Sequence, residues 1–262
     1  MKYIVIGACL IFILSITSSR ALKPDDPALV GLWLCDEGAG DVVKDTSGNK
    51  NDGKFAGNFD WIDGKFGKAV LSKGGGSIDV KDSDSILSIK DELTVAAWFR
   101  IDADSDTGIR KNGAYLLEDQ SSSEPVKDGW SCRIWTSQGI TPGFYGKTEL
   151  KQGEWYHIAG TYDGTNVEMY INGEPESKKG ALDSGGSKWK PQWGGPIQAG
   201  STLQLKYGPE AYTGGIDEIV LFNRALAEDE IKQLLLGWAD AFPVHRQGKM
   251  AVTWGEVKLA FE

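Results

Sequence analysis

Residues 155–173 read WYHIAGTYDGTNVEMYING, two runs of alternating side chains joined at Asp163-Gly164 and closed by Asn172-Gly173. Alternation on both sides of an Asp-Gly turn is the pattern of a β-hairpin. His157, Ala159 and Thr161 fall on one face of the first run and Ile158 and Tyr162 on the other; Val167, Met169 and Ile171 oppose Glu168 and Tyr170 in the second. This pattern predicts one buried face and one solvated face. Short strand-like runs recur at 28–35, 69–71, 77–80, 93–101, 115–119, 130–136, 141–145 and 197–199, with Gly, Asp, Asn and Ser between them. Gly74-Gly75-Gly76 reads as a turn ahead of 77–80. The rhythm predicts an all-β chain of packed antiparallel strands rather than alternating β and α units. One helix is expected at 226–236, with Glu228-Asp229-Glu230 in its first turn and Gly237 at its end.

The first residues follow another logic. Lys2, an apolar run over 4–16 broken at Ser15, and Ser19-Arg20-Ala21 have the form of a secretory signal with cleavage after Ala21. The run is shorter than the roughly 20 residues a spanning helix needs, so the mature chain is expected to be secreted, extracellular or periplasmic, without a membrane span. Cys9 lies inside the apolar run, where it does not fit a lipoprotein site. The expected organisation is a signal at 1–21, a leader at 22–27, one domain at 28–236 and an extension at 237–262. Burial of Trp238, Phe242 and Trp254 favours packing of that extension on the domain.

Without Lys2 and Arg20 the 28 basic residues become 26 against 37 acidic ones, a formal charge of −11. Nucleic acid requires a basic surface to neutralise phosphates, and no run of this chain supplies one. Two cysteines remain, Cys35 in GLWLC and Cys132 in WSCRIW. Secretion permits a disulfide between them, and two buried thiols fit the same segments equally well. No Cys-x-x-Cys occurs, so zinc and thioredoxin-like sites have no support.

Four segments, in order, carry a resemblance to a known family: Asp45-x-Ser-Gly-Asn, Leu93-Thr-Val-Ala-Ala-Trp98-Phe, the hairpin at 155–173, and Gly215-Ile-Asp217-Glu-Ile-Val-Leu-Phe-Asn223-Arg-Ala-Leu. Together they resemble the laminin-G-like, concanavalin A-like jelly-roll family over about residues 28–236. The resemblance implies two antiparallel sheets packed face to face, with one short C-terminal helix.

The candidate chemistry is sparse. The loop DTSGNKNDG from Asp45 is rich in oxygen, and Asp45, Asn49 and Asn51 side chains with the Gly48 carbonyl suit calcium, which takes six to eight oxygens. It is no EF-hand, because Ala56 stands where that motif needs a bidentate Glu. In the family resembled, a structural calcium ion often bridges this loop to the Asp of the closing strand, here Asp217. The competing reading is a loop held by its own side-chain to backbone bonds.

Concanavalin A-like glycosidases commonly place their carboxylates as Glu-x-Asp-x-x-Glu on one strand, and no Glu here is followed two positions later by Asp. His157 and His245 are the two histidines, and His157 sits in regular strand alternation, which favours a structural role. No Gly-x-Ser-x-Gly, His-Glu-x-x-His or phosphate loop occurs. Trp33, Trp98, Trp135 and Trp155 belong to strands and read as core. Trp189 and Trp193, in a loop with Lys188, Lys190 and Gln192, are the main candidates for stacking on sugar rings, with Trp61 and Trp130 as weaker ones. The sequence therefore predicts a secreted, non-catalytic module for an extracellular glycan or protein. A polysaccharide-active glycoside hydrolase with displaced carboxylates and a structural module of a cell-surface assembly are the alternatives.

Overall fold

The computed structural model describes residues 21–102, 107–119, 130–140, 144–145, 148, 150–176, 195–208 and 213–242. The expected signal, the loop carrying Trp189, Lys190, Gln192 and Trp193, and the extension beyond Phe242 lie outside them. In chain order the strands are β1 (Leu29–Trp33), β2 (Val42–Val43), β3 (Gly53–Asp63), β4 (Lys68–Val80), β5 (Leu93–Ile101), β6 (Thr107–Lys111), β7 (Tyr115–Asp119) and β8 (Trp130–Thr136). They continue as β9 (Gly139–Ile140), β10 (Phe144–Tyr145), β11 (Trp155–Tyr162), β12 (Val167–Ile171), β13 (Glu174–Pro175), β14 (Leu203–Gly208) and β15 (Thr213–Phe222). Among the described residues three short helices, α1 (Asp84–Leu87), α2 (Glu228–Leu234) and α3 (Trp238–Ala241), complete the elements.

The hydrogen-bonded order is β10-β8-β7-β6-β14-β4-β15-β5-β11-β12-β13, every pair antiparallel, with β1 on β15 and β3 on β4. It runs unbroken because β4 serves both layers of a jelly-roll sandwich. Its first half pairs with β15 through Val70–Lys73, and its second with β14 through Gly76–Val80. Between the pairs Gly57↔Gly76 and Phe59↔Ser72, β4 spends four residues where β3 spends two. Gly74-Gly75-Gly76 is thus a bulge inside one long strand, not the turn expected, and a bulge is how a strand bends from one layer into the other.

The two layers meet face to face. Val95, Ala97 and Phe99 of β5, Ile158 of β11 and Met169 of β12 share one apolar cluster with Ile109 of β6, Leu117 of β7 and Cys132 and Ile134 of β8. Phe99 and Trp130 cross the gap with ring centroids 4.4 Å apart. Cys35 and Cys132 are both buried free thiols, so the disulfide reading gives way to the other one. Burial pushes the Cys132 thiol up to about 12 and raises Cys35 as well, which keeps both protonated and unreactive.

The hairpin forms as its pattern predicts, with Tyr162 opposite Val167 and Ile158 opposite Ile171. Asp163 Oδ1 accepts from the N–H groups of Thr165 and Asn166 and closes the turn. Asn172 and Gly173 both take positive φ, as the tight turn into β13 requires. The expected solvated face, however, is covered: His157, Ala159 and Thr161 are all buried. Ala96, Ala159, Tyr170 and Val220 lie beneath a second apolar cluster built from Leu22, Leu29, Leu226, Ile231, Leu234 and Trp238.

That covering layer is tied down by one buried ionic group. Arg224 reaches Asp26 at 2.7 Å and Glu230 at 2.8 Å, and Glu230 Oε2 also accepts from the Ala227 N–H at the start of α2. The acidic first turn of α2 therefore serves the helix and its anchor. Residues 22–26 pack into this layer through Leu22 and Asp26, as do Trp238 and Phe242 from the extension.

Candidate functional site

The oxygen-rich loop is stitched to β1. Asp45 Oδ1 accepts from the N–H groups of Leu32 and Ser47 at 3.0 and 2.9 Å, and Oδ2 from that of Asn51 at 2.8 Å. The Asn49 and Asn51 amides donate to the Val30 carbonyl, and Asn51 Oδ1 accepts from Ser83 Oγ at 2.6 Å. Gly48 takes φ 94° at the loop's tip. Three main-chain donors thus already engage the Asp45 carboxylate, and this half of the expected calcium set acts as a strap for β1.

Asp217 stands elsewhere, in β15, fully buried. Its Oδ2 accepts from the Phe66 N–H at 3.0 Å and its Oδ1 from the Glu218 N–H at 2.8 Å. Burial, helped by the charges of Glu218 and Asp36, pushes this carboxyl up to about 8. Asp36 accepts from the Lys68 N–H at 2.7 Å. The turn between β3 and β4 presses on both carboxylates: a Cβ on Gly64 would lie 2.5 Å from Asp217 Oδ2, and one on Gly67 would overlap Asp36. Among the described residues no group of three or more His, Cys, Asp and Glu side chains is placed to hold a metal ion. An ion at Asp217 would draw on Asp36 and on main-chain oxygens of the turn, which is a fit for calcium in kind.

Asp217, Trp98 and His157 are direct neighbours across β15, β5 and β11. Trp98 and His157 meet edge to face at 5.5 Å, and among the described residues Trp98 Nε1 and His157 Nδ1 have no hydrogen-bond partner. Burial pulls the imidazole down to about 3, so His157 is neutral. Its strand position and burial match the structural role expected. Of the other tryptophans, Trp33 and Trp130 are core, whereas Trp61, Trp135 and Trp155 are partly exposed.

The outward face of the β8-β7-β6-β14-β4 layer is different in kind. Residues directly opposite one another share a face, and one row across it reads Lys54, Asp79, Gln204, Arg110, Leu116, Arg133. Glu118 and Ser131 stand in the next row. Gln204 Nε2 donates to Asp79 Oδ1 at 3.1 Å and Ser77 Oγ to the same oxygen at 2.6 Å. Arg110, Glu118, Arg133 and Gln204 are half-buried, so the face offers donors and acceptors already partly withdrawn from water. Single-residue motifs could not reveal this row. Its signal is the alternation in β6, β7 and β8, where Ile109, Leu117 and Cys132 point inward and Arg110, Glu118 and Arg133 outward.

Among the described residues of this face, Asp79 on β4 and Glu118 on β7 are three strand spacings apart, roughly 14 Å across the sheet at about 4.8 Å per strand, and Asp41 meets Lys54 at the end of the row. Glycosidases work with carboxylates about 5–5.5 Å apart when retaining and about 6.5–9.5 Å apart when inverting. Asp79 and Glu118 are farther apart than either kind of pair.

The fold recurs in solved structures. Domain 4 of AbnA, an extracellular GH43 arabinanase from Geobacillus stearothermophilus, solved with arabinotriose, is similar at 20% identity and TM-score 0.57, over 79% of this chain and 98% of that one. The binding domain of Paraclostridial Mosquitocidal Protein 1 is similar at 18% identity and TM-score 0.60, over 81% and 52%. A structure of botulinum neurotoxin type C, whose cell entry depends on interaction with two ganglioside molecules, is similar at 14% identity and TM-score 0.57, over 79% and 50%. The chain spans about half the length of these two toxin chains, and at such identities the likeness is one of fold. No curated protein matches in sequence. Residues 72–232 match the laminin G model described as the concanavalin A-like lectin/glucanases superfamily. That match takes in more than half of the sequence and includes β5, the β11-β12 hairpin and β15, so this chain belongs to the concanavalin A-like lectin/glucanase superfamily.

Proposed function

We propose that this chain is a secreted, non-catalytic recognition module for an extracellular glycan, bound on the outward face of the β8-β7-β6-β14-β4 layer. The observation that carries the reading is the cross-strand row from Lys54 to Arg133, in which Asp79, Gln204, Arg110 and Arg133 are half-buried and set donors beside acceptors, with Asp79 and Glu118 farther apart than a glycosidase pair. Sugar hydroxyls ask for such side chains held rigidly, and a sheet between two packed layers supplies the rigidity. The binding domains among its structural relatives support the same class of function. A glycan array probed with the mature protein is the test. Binding abolished by Arg110→Ala with Arg133→Ala, and no reducing sugar released from the bound polysaccharide, is the expected result. Silence across the array would turn the reading to protein recognition, and steady sugar release would make the protein a hydrolase.

Calcium belongs to the same proposal, and we centre it on Asp217 and Asp36, because in the Asp45 loop the Asp45 carboxylate and Asn51 Oδ1 already accept hydrogen bonds. The ion's part there is structural: it would hold the turn between β3 and β4 against β15 by neutralising the buried Asp217 and the exposed Asp36. Calcium is expected to raise the melting temperature of the wild type and to leave Asp217→Asn unmoved. Equal melting in calcium and in EDTA for the wild type would remove the ion from the reading.

A further inference from the structure

We propose that β3 carries a second carbohydrate site, a stack of three aromatic rings at the sandwich edge that a sugar ring of a neutral saccharide chain extends. The inference goes beyond the sheet-face site and rests on it only in taking the ligand to be a glycan.

The site lies on one face of one strand. Phe55, Phe59 and Trp61 alternate along β3, opposite Ile78, Ser72 and Val70 of β4. The Phe55 ring is the centre of the stack, 4.7 Å from Phe59 at an interplanar angle of 32° and 5.5 Å from Trp61 at 38°. These are offset, tilted contacts of the kind aromatic rings prefer. The rings pack on the main apolar cluster from one side, and all three remain partly exposed. Trp61 Nε1 donates to the Gly40 carbonyl at 3.1 Å, which fixes the indole in its plane.

An edge strand is ordinarily guarded by charge or by coverage, because exposed apolar edges invite unwanted pairing. Here the edge is left to three aromatic rings that pack inward on the core and stay partly open to water. Rings need not be aromatic to seal the corner, since leucine or isoleucine would fill it. Flat, orientated π faces add the ability to take the C–H face of a pyranose or furanose ring, while the polar edge of the sugar stays in water.

The charge around the stack selects a neutral ligand. The aromatic row ends at the ion pair of Asp63 with Lys68, 2.7 Å apart. On the opposite face of β3, Lys54 meets Asp41 at 3.8 Å and Lys73 pairs with Asp60. Each lysine is compensated by its own carboxylate, so the strand has no surplus positive charge to hold a uronate or sialate. β3 also precedes the residues 72–232 that the family model matches, so the site is not one the match assigns.

Isothermal titration with cellohexaose, xylohexaose and arabinohexaose, and with a galacturonate hexamer as the acidic probe, tests the inference. Binding of a neutral hexaose is expected, with its signal at the Trp61 indole N–H in a ¹H–¹⁵N spectrum. Trp61→Leu and Phe59→Leu should weaken that binding about five- to tenfold, the scale of one lost aromatic contact. Trp61→Phe should restore most of it. A merely sealing role would lower the melting temperature of the leucine variants and leave the hexaose affinity unchanged, which would overturn the inference. So would preference for the galacturonate hexamer. Hexaose binding that survives both leucine variants and disappears in Arg110→Ala with Arg133→Ala would overturn this inference alone and keep the sheet-face site. Failure of every hexaose to bind a protein that is positive on the glycan array would do the same, whereas silence in both would sink both readings.

Discussion

Gly160 gives the sharpest test of the two-layer architecture. It lies in β11, and a Cβ built on it would sit 2.5 Å from Cys132 Sγ and 3.1 Å from Cys132 Cβ, atoms of the opposite layer. Both residues are buried and Cys132 has no exposed surface, so the methyl of Gly160→Ala has nowhere to go unless the layers part. Overpacking of this kind costs about 1–3 kcal/mol. Cys132→Ala removes the obstructing sulfur and leaves a small cavity, at a cost of about 1 kcal/mol. In the double variant the new methyl enters that cavity, and the two losses should offset one another by roughly 1–2 kcal/mol. Urea unfolding in reducing buffer measures all four corners of the cycle, and each kcal/mol moves the melting temperature by roughly 2–4 °C at this chain length. Losses that add to within about 0.5 kcal/mol would mean that Gly160 and Cys132 do not touch, and the facing of the two layers would fall with them.

Three further outcomes follow from buried charge. Arg224→Ala leaves the Asp26 and Glu230 carboxylates buried without their cation, and should cost about 3–5 kcal/mol in a thermal melt; a loss under about 1 kcal/mol would show the group to be dispensable. Asp217, pushed up to about 8, keeps its proton in the folded chain while an unfolded Asp releases it near 3.8, so between these values stability falls as pH rises, by at most about 1.4 kcal/mol per unit. Asp217→Asn in EDTA should flatten that slope, and an unchanged slope in urea midpoints at pH 5, 6.5 and 8 would refute the assignment. His157 works in the other direction: its imidazole, near 3 when folded and 6.5 when unfolded, draws stability down as pH falls through that window. His157→Gln should therefore protect the fold between pH 6 and 4, and equal acid sensitivity of the two proteins would exclude His157 as its source.

The sequence discloses those elements whose signals are local. β7 and β8 occupy the expected residues because inward Tyr115, Leu117, Cys132 and Ile134 recur at every second position. The hairpin turn and the Asp45 loop were legible for the same reason, since an Asx turn is written in adjacent residues. β3 was not foreseen: Gly57 and Asn58 interrupt its run, and only the long pairing with β4 makes it a strand. The run at 197–199 looked apolar enough, but Ile197 makes a single bridge to Thr136, and the strand proper, β14, starts at Leu203 after the Gly200 turn. The covered face of β11 could not be read from β11 at all, because α2 and residues near Leu22 supply the cover from both ends of the chain. Site residues divide in the same way. Asp45, Asn49 and Asn51 come together as neighbours in sequence do, whereas the charge of Asp36 reaches Asp217 only because β1 pairs with β15.

Both proposed sites share β3, and this makes their separation a matter of geometry. Lys54 opens the polar row on one face of the strand, and Phe55 begins the aromatic row on the other. In a central strand the two faces would be divided by neighbouring strands on both sides. Among the described residues β3 has β4 on one side and the two-residue β2 near its start on the other, so past Phe55 its edge is a path between the faces. A saccharide chain of several rings can stack on Phe59 or Trp61 and cross that edge toward Lys54, Asp79 and Gln204. Such a ligand is held through both faces of one strand, and the two contacts then act as linked sites whose affinities multiply. Trp61→Leu and Arg110→Ala should consequently show a larger combined loss on a hexaose than on a trisaccharide, because only the longer chain reaches both.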